Sequence, residues 1–146
     1  MTSRRALIIV LAVLGAVPVA TSLLAIVGGP AAAPGGGPTT ASVDSEYRFV
    51  NTFWLAAGLI LWWTLRRPEA RALVTRVVLV IAALGGFARL ASWAAVGPPH
   101  PVFIGTIVLE LVIVPLVIWW HSRAFPAATT RPSEARLDAR DRSETS

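Results

Sequence analysis

Four stretches of this chain hold apolar residues without the regular polar interruptions of a soluble fold, at about 6–27, 47–65, 72–96 and 102–120. That feature decides the fold class. A bilayer core of ~30 Å is crossed by about 20 helical residues, and each stretch is near that length. Lipid offers no hydrogen bonds to the backbone, so such stretches must be helices; barrel strands would be about half as long and would alternate. Hydrophobic residues make up 55% of the 146 and charged ones only 14%, and the apolar ones come in unbroken blocks where a soluble domain of this size would alternate apolar with polar residues at helix or strand period. The expected architecture is all-α, a transmembrane bundle of four helices with N-in/C-in topology, spanning residues 1–121. A short disordered cytoplasmic tail follows over 122–146.

The connections support this division. Gly28–Val43 is rich in Gly, Pro, Ala and Thr and reads as a flexible loop. Ser42 or Asp44 is expected to cap the second helix, whose early acids suit the helix dipole. Arg66–Arg71 forms a short basic turn, and Gly97-Pro98-Pro99-His100-Pro101 forms the last one. Pro18 should bend the first helix, and Pro115 is expected to kink the fourth while freeing the carbonyl of Leu111. In the tail, Asp138 and Arg142 have the spacing of a transient i,i+4 pair. The first block also has the basic start and apolar centre of a secretory signal. It is longer than a usual signal core, and Ala31–Ala33 is the nearest small-residue site, so a retained helix is the preferred reading.

The formal charge is +5 and every basic residue is arginine. These arginines gather at helix ends, which points to topology rather than to nucleic acid. Arg4 and Arg5 precede the first helix, Arg66, Arg67, Arg71 and Arg76 cluster around the turn between the second and third, and Arg123 follows the fourth. The other two loops contain no arginine. Cytoplasmic loops are enriched in positive charge, so both termini and the middle turn are placed inside, in a multi-pass protein of the cell (plasma or inner) membrane. Trp62, Trp63, Trp119 and Trp120 then fall at the inner interface, with Trp54 and Trp93 toward the outer one. There is no cysteine, and no phosphate loop, metal-ligand spacing or nucleophile–base pair is present. No metal, cofactor or catalytic residue is assigned.

The polar residues inside the apolar blocks converge on one depth. Arg89 stands about seven residues before the outer end of the third helix, ~10 Å in. Glu110 stands about eight residues into the fourth, ~12 Å in. Arg48 and Asn51 lie in the first turns of the second. Arg89 and Ser92 share a helical face, as do Thr106 and Glu110, and Asp44, Arg48, Asn51 and Thr52. A charge at helix centre costs roughly 2.5–3.5 kcal/mol, so Arg89 is expected to turn inward toward Glu110. Asp44 and Glu46 compete for Arg48. Two compatible readings follow: an ion pair that fixes helix register with Asn51 as interhelical glue, or an outward-open pocket lined by Arg48, Asn51, Arg89, Ser92 and Glu110 that takes a ligand or lipid headgroup. A third has Arg89 snorkelling to the headgroups. Gly85-Gly86 is expected to let helices approach closely. His100 reads as a lone loop histidine, and His121 as a headgroup contact.

Ser45-Glu46-Tyr47-Arg48 followed by Gly58, then Gly85-Gly86-Phe87-Ala88-Arg89-Leu90-Ala91-Ser92, Gly97-Pro98, and Glu110 followed by Pro115 form an ordered set of short motifs. Over about Asp44 to His121 the chain resembles a bacterial family of small four-helix integral membrane proteins of unknown function (DUF4345-like). Asn51-Thr52 departs from the small residues more usual there. The resemblance implies a membrane fold, in a bacterial inner membrane, and no known activity.

Three functions compete. The favoured one is an accessory protein that binds a lipid, a small molecule or a membrane protein partner, its own copy included, through the outer polar cluster. A proton-coupled small-molecule carrier is the alternative, suggested by Glu110 in a small four-helix protein, although exporters of that size carry their acid in the first helix. An acid–base membrane enzyme acting on a lipid, with Glu110 as base and Arg89 as electrostatic stabiliser, ranks third. It lacks a convincing second acid or base beyond Glu46 or His100.

Overall fold

A computed structural model describes residues 2–126. Within them are four helices and no strand: α1 (Thr2–Gly28), α2 (Ala41–Thr64), α3 (Ala72–Val96) and α4 (Pro101–Ala124). A single 3-10 turn, Pro30–Ala32, interrupts the α1–α2 connection. The Asp138–Arg142 pair and most of the expected tail lie outside the described residues. Three helical stretches, Ser3–Gly28, Ala72–Val96 and Pro101–Ala124, are long and apolar enough to cross a membrane. α2 has the length but is less apolar, because Asp44, Glu46, Arg48, Asn51 and Thr52 fill its first half.

The helix bounds correct the expected ones in two places. α2 begins at Ala41 rather than near Tyr47, and its cap is Thr40, whose hydroxyl accepts from the backbone N–H of Val43 at 3.3 Å. Neither Ser42 nor Asp44 caps it. At the other end α4 runs on to Ala124, and Phe125 is buried, so the tail cannot begin at 122. His100 also gains a local role: it is the residue that caps α4, with Nδ1 accepting from Val102 N–H at 3.4 Å.

α1 is continuous across Pro18 and pairs closely with α2. Two glycines set that distance. A Cβ at Gly58 would stand 2.8 Å from the Gly15 carbonyl and 3.0 Å from the Pro18 ring, and one at Gly15 would strike the Trp62 indole at 2.7 Å. Small residues at a crossing let backbones approach and replace the hydrophobic drive that lipid cannot supply. Trp62 donates its indole N–H to the Ala12 carbonyl at 2.9 Å across the same seam. α3 packs mainly on α4. Leu7 and Leu11 of α1, Leu61 of α2, Leu79 of α3, and Val114 and Val117 of α4 form the shared core, with Trp54 part-buried against it. Outside the core, Leu24, Leu73, Leu84, Phe87 and Leu116 are exposed. Helices that are apolar on their outward faces as well are those of a membrane span.

One end of the bundle gathers the start of α1, the α2–α3 turn and the end of α4. Arg4 bonds Glu69 at 2.7 Å, and Trp120 donates to the Ser3 hydroxyl at 3.0 Å. The opposite end holds the α1–α2 loop and the α3–α4 turn, where Gly35 lies against His100.

Candidate functional site

The Arg89–Glu110 contact is built by two irregularities that face each other. On α4, Pro115 has no N–H to give, and its ring would crowd the carbonyl four residues back in a regular helix. The turn ahead of it is widened instead into a π turn, Leu109–Ile113, closed by the bond from Val114 N–H to the Leu109 carbonyl. The sequence predicts only a simple kink there. π turns displace side chains from the regular helical face and are frequent at functional sites. On α3, Gly86 gives way: a Cβ there would lie 2.8 Å from Leu111 and 2.9 Å from the Glu110 Cβ. Gly85, its neighbour, faces open space. Three residues on, Arg89 reaches across, and its Nε donates to Glu110 Oε2 at 3.0 Å and Oε1 at 3.3 Å.

The two partners are unequally covered. The Glu110 side chain is 7% accessible and the Arg89 side chain 38%. The Phe103 ring lies 5.5 Å from the guanidinium carbon, near enough for a cation–π contribution. Only Nε is spent on Glu110. Among the described residues neither Nη group of Arg89 donates to a protein acceptor.

Arg48 belongs to a different assembly. It grips Asp44 with Nε at 2.7 Å and Nη2 at 3.2 Å, while Nη1 donates to the carbonyls of Ile26 and, at 3.1 Å, Val27. Those are unsatisfied carbonyls at the end of α1, where a cation also complements the helix dipole. Gly29, with φ +67, turns the chain beneath the pair; a Cβ there would stand 2.5 Å from Arg48 Nη2 and 2.8 Å from Asp44 Oδ1. Arg48 thus caps α1, and Asp44 wins the competition that Glu46, exposed, does not enter. The hydrogen bond from Arg48 holds the Asp44 carboxyl below its usual range, with partial desolvation opposing and the arginine charge assisting.

The remaining members of the expected cluster stand apart. Asn51 donates to the Tyr47 carbonyl at 2.7 Å within its own helix, so it is not interhelical glue. Ser92 is exposed on α3, one turn beyond Arg89. No side-chain hydrogen bond among the described residues joins Arg48 or Asn51 to Arg89 or Glu110. Two shallow surface grooves among the described residues, one lined by Ile113, Leu116, Val117, Trp119 and Trp120 and one by Leu59, Trp62, Trp63 and Arg66, touch none of the five.

A third polar assembly was not expected. His121 is fully buried rather than at a headgroup interface. Its Nδ1 accepts from Arg76 Nε at 3.4 Å, Arg76 Nη2 also donates to the Phe125 carbonyl, and the imidazole lies 5.1 Å from the Phe125 ring. Arg4 covers that ring from α1 at 5.0 Å. The contact ties the ends of α3 and α4 together. Arg76 lies a full helical turn inside α3, the one sign in the sequence that it faces inward.

The model of a domain of unknown function (DUF4345) matches residues 6–121, a span that includes all three assemblies apart from Arg4 and Phe125. No curated protein and no solved structure matches the chain.

Proposed function

We propose that this chain, which belongs to the DUF4345 family, is a multi-pass four-helix protein of the bacterial inner membrane that binds an anionic group at Arg89. In this reading α2 also crosses, through its apolar part at about 47–64, and the arginine-rich end faces the cytoplasm. The protein acts as an accessory binder of a lipid headgroup or small ligand.

The observation that supports it is the half-used guanidinium. An arginine ~10 Å inside a span must satisfy its donors without bulk water. Glu110 takes one N–H and fixes the plane of the group, which leaves the Nη pair, still part-accessible, for an outside acceptor. Guanidinium matches carboxylate and phosphate in a two-pronged geometry that an ammonium does not reproduce. The ligand class is therefore a carboxylate or phosphate, carried on a lipid or free. The ion pair that fixes helix register is part of the same device, since it orients the binding group.

Native mass spectrometry of protein released from nanodiscs tests this, with Arg89→Gln beside wild type and circular dichroism confirming that both are folded. An anionic species retained by wild type and lost in the variant is the expected result, and organic extraction distinguishes a lipid from a free acid. Wild type that emerges bare, or that keeps its ligand in the variant, overturns the reading.

A further inference from the structure

The end of the bundle opposite Arg89 has its own unspent charge. Seven arginines and one acid, Glu69, stand there among the described residues. Most of the arginines have protein partners. Arg4 is held by Glu69, Arg76 by His121 and the Phe125 carbonyl, Arg71 by the Trp63 ring at 3.5 Å, and Arg123 by the Trp119 ring at 4.5 Å. The side chains of Arg66 and Arg67 donate to no acceptor among the described residues. Arg66 closes one end of a groove whose walls are Leu59, Trp62 and Trp63.

Both tryptophan walls are fixed before anything enters. Trp62 is tethered by its N–H to the Ala12 carbonyl at 2.9 Å, and Trp63 is backed by the Arg71 guanidinium, which also donates to the Trp63 carbonyl. Preformed walls lower the ordering cost of binding. The result is an apolar trough on α2 that ends in free positive charge where the helix leaves its apolar stretch.

We propose that this groove is a site for one anionic phospholipid of the adjacent leaflet, with an acyl chain along Leu59, Trp62 and Trp63 and the phosphate on Arg66. A zwitterionic lipid offers the same chain and phosphate, but it also brings a cation toward an end already rich in positive charge. The net charge of the lipid is what the arginines select. The inference shares with the proposed function only the insertion in a bilayer; it uses none of the Arg89 site.

The test is native mass spectrometry of the full chain released from vesicles of mixed phosphatidylglycerol and phosphatidylcholine, with folding followed by circular dichroism and melting. Wild type is expected to retain phosphatidylglycerol in preference, and Arg66→Gln to lower that preference about fivefold, the effect of one arginine near a charged surface. Arg66→Lys should restore much of it. Arg5→Gln removes the same charge from the same end but away from the groove. Equal losses for Arg5→Gln and Arg66→Gln would mean diffuse attraction and overturn the site, as would wild type with no preference. A phosphatidylglycerol preference lost with Arg89→Gln and kept with Arg66→Gln would move the lipid to the other site and overturn this one.

Discussion

The Nε of Arg89 on α3 donates to both carboxylate oxygens of Glu110 on α4, at 3.0 and 3.3 Å, across a contact that the glycine at position 86 makes room for. The pair depends on packing as well as charge. Pro115 widens the turn that bears Glu110, Leu111 comes forward with it, and Gly86 accepts both. Removing the room, or either charge, disturbs the others.

Removing one charge should cost more than removing both. Glu110→Ala leaves the Arg89 guanidinium unpaired in an apolar span, and Arg89→Ala leaves a buried carboxylate. Each is expected to destabilise by about 3 kcal/mol, the low end for a buried pair because Arg89 retains 38% accessibility. The double variant should recover part of that loss. Thermal melting in detergent of the two single variants and the double measures it; a double-variant loss equal to the sum of the two single losses would rule out direct coupling.

The two adjacent glycines should behave oppositely. Gly86→Ala drives a methyl into Leu111 and the Glu110 Cβ, for a cost of about 1–3 kcal/mol by overpacking. Gly85→Ala meets nothing and should gain up to about 1 kcal/mol of helix propensity. Unfolding of the two variants in parallel checks the contrast, and a tolerant Gly86 would show that α3 and α4 are looser than described.

At the end of α1, Gly29→Ala places a side chain at φ +67 and against Arg48 and Asp44. That backbone, with φ 67 and ψ −171, is essentially open to glycine alone and costs another residue about 1–3 kcal/mol. Melting temperature should fall by more than for Gly37→Ala in the same loop, where nothing lies within 4 Å.

Asp44 makes stability depend on pH with a definite sign. Its carboxyl is held below the usual range by the Arg48 hydrogen bond, so the folded state binds that proton less readily than the unfolded chain does. Its contribution is therefore full at neutral pH and is lost as pH falls through the ordinary carboxylate range toward the lowered folded-state value. Melting curves from pH 7 down to pH 3 should descend more steeply for wild type than for Asp44→Asn, which should already be weaker at pH 7. Parallel curves would show that the Asp44–Arg48 pair does not contribute.

How much of this was legible in the sequence varies by residue. Arg89–Glu110 was legible because each residue is a charge deep in a long apolar stretch at a matching depth, and lipid leaves such charges few partners. Arg48 misled, since depth alone grouped it with Arg89. Its partners are two carbonyls at the end of another helix, and backbone carbonyls leave no mark in a side-chain pattern. Asn51 misled for a related reason: the Tyr47 carbonyl on its own helix was always within reach. His121 next to Trp120 looked like an interface residue, and only the position of Arg76 on α3 makes it a buried one.

The sequence by itself determined that the chain is helical, where its apolar stretches lie and which charges would need partners, because those follow from hydrophobic length and from the absence of water at depth. Which polar groups meet was decided by the tertiary structure. That depends on rotations of helices about their axes, set here by Gly15 against Gly58, Gly86 against Leu111, and the π turn before Pro115. A π turn moves side chains around the helix axis, and no periodicity read along the chain reports it.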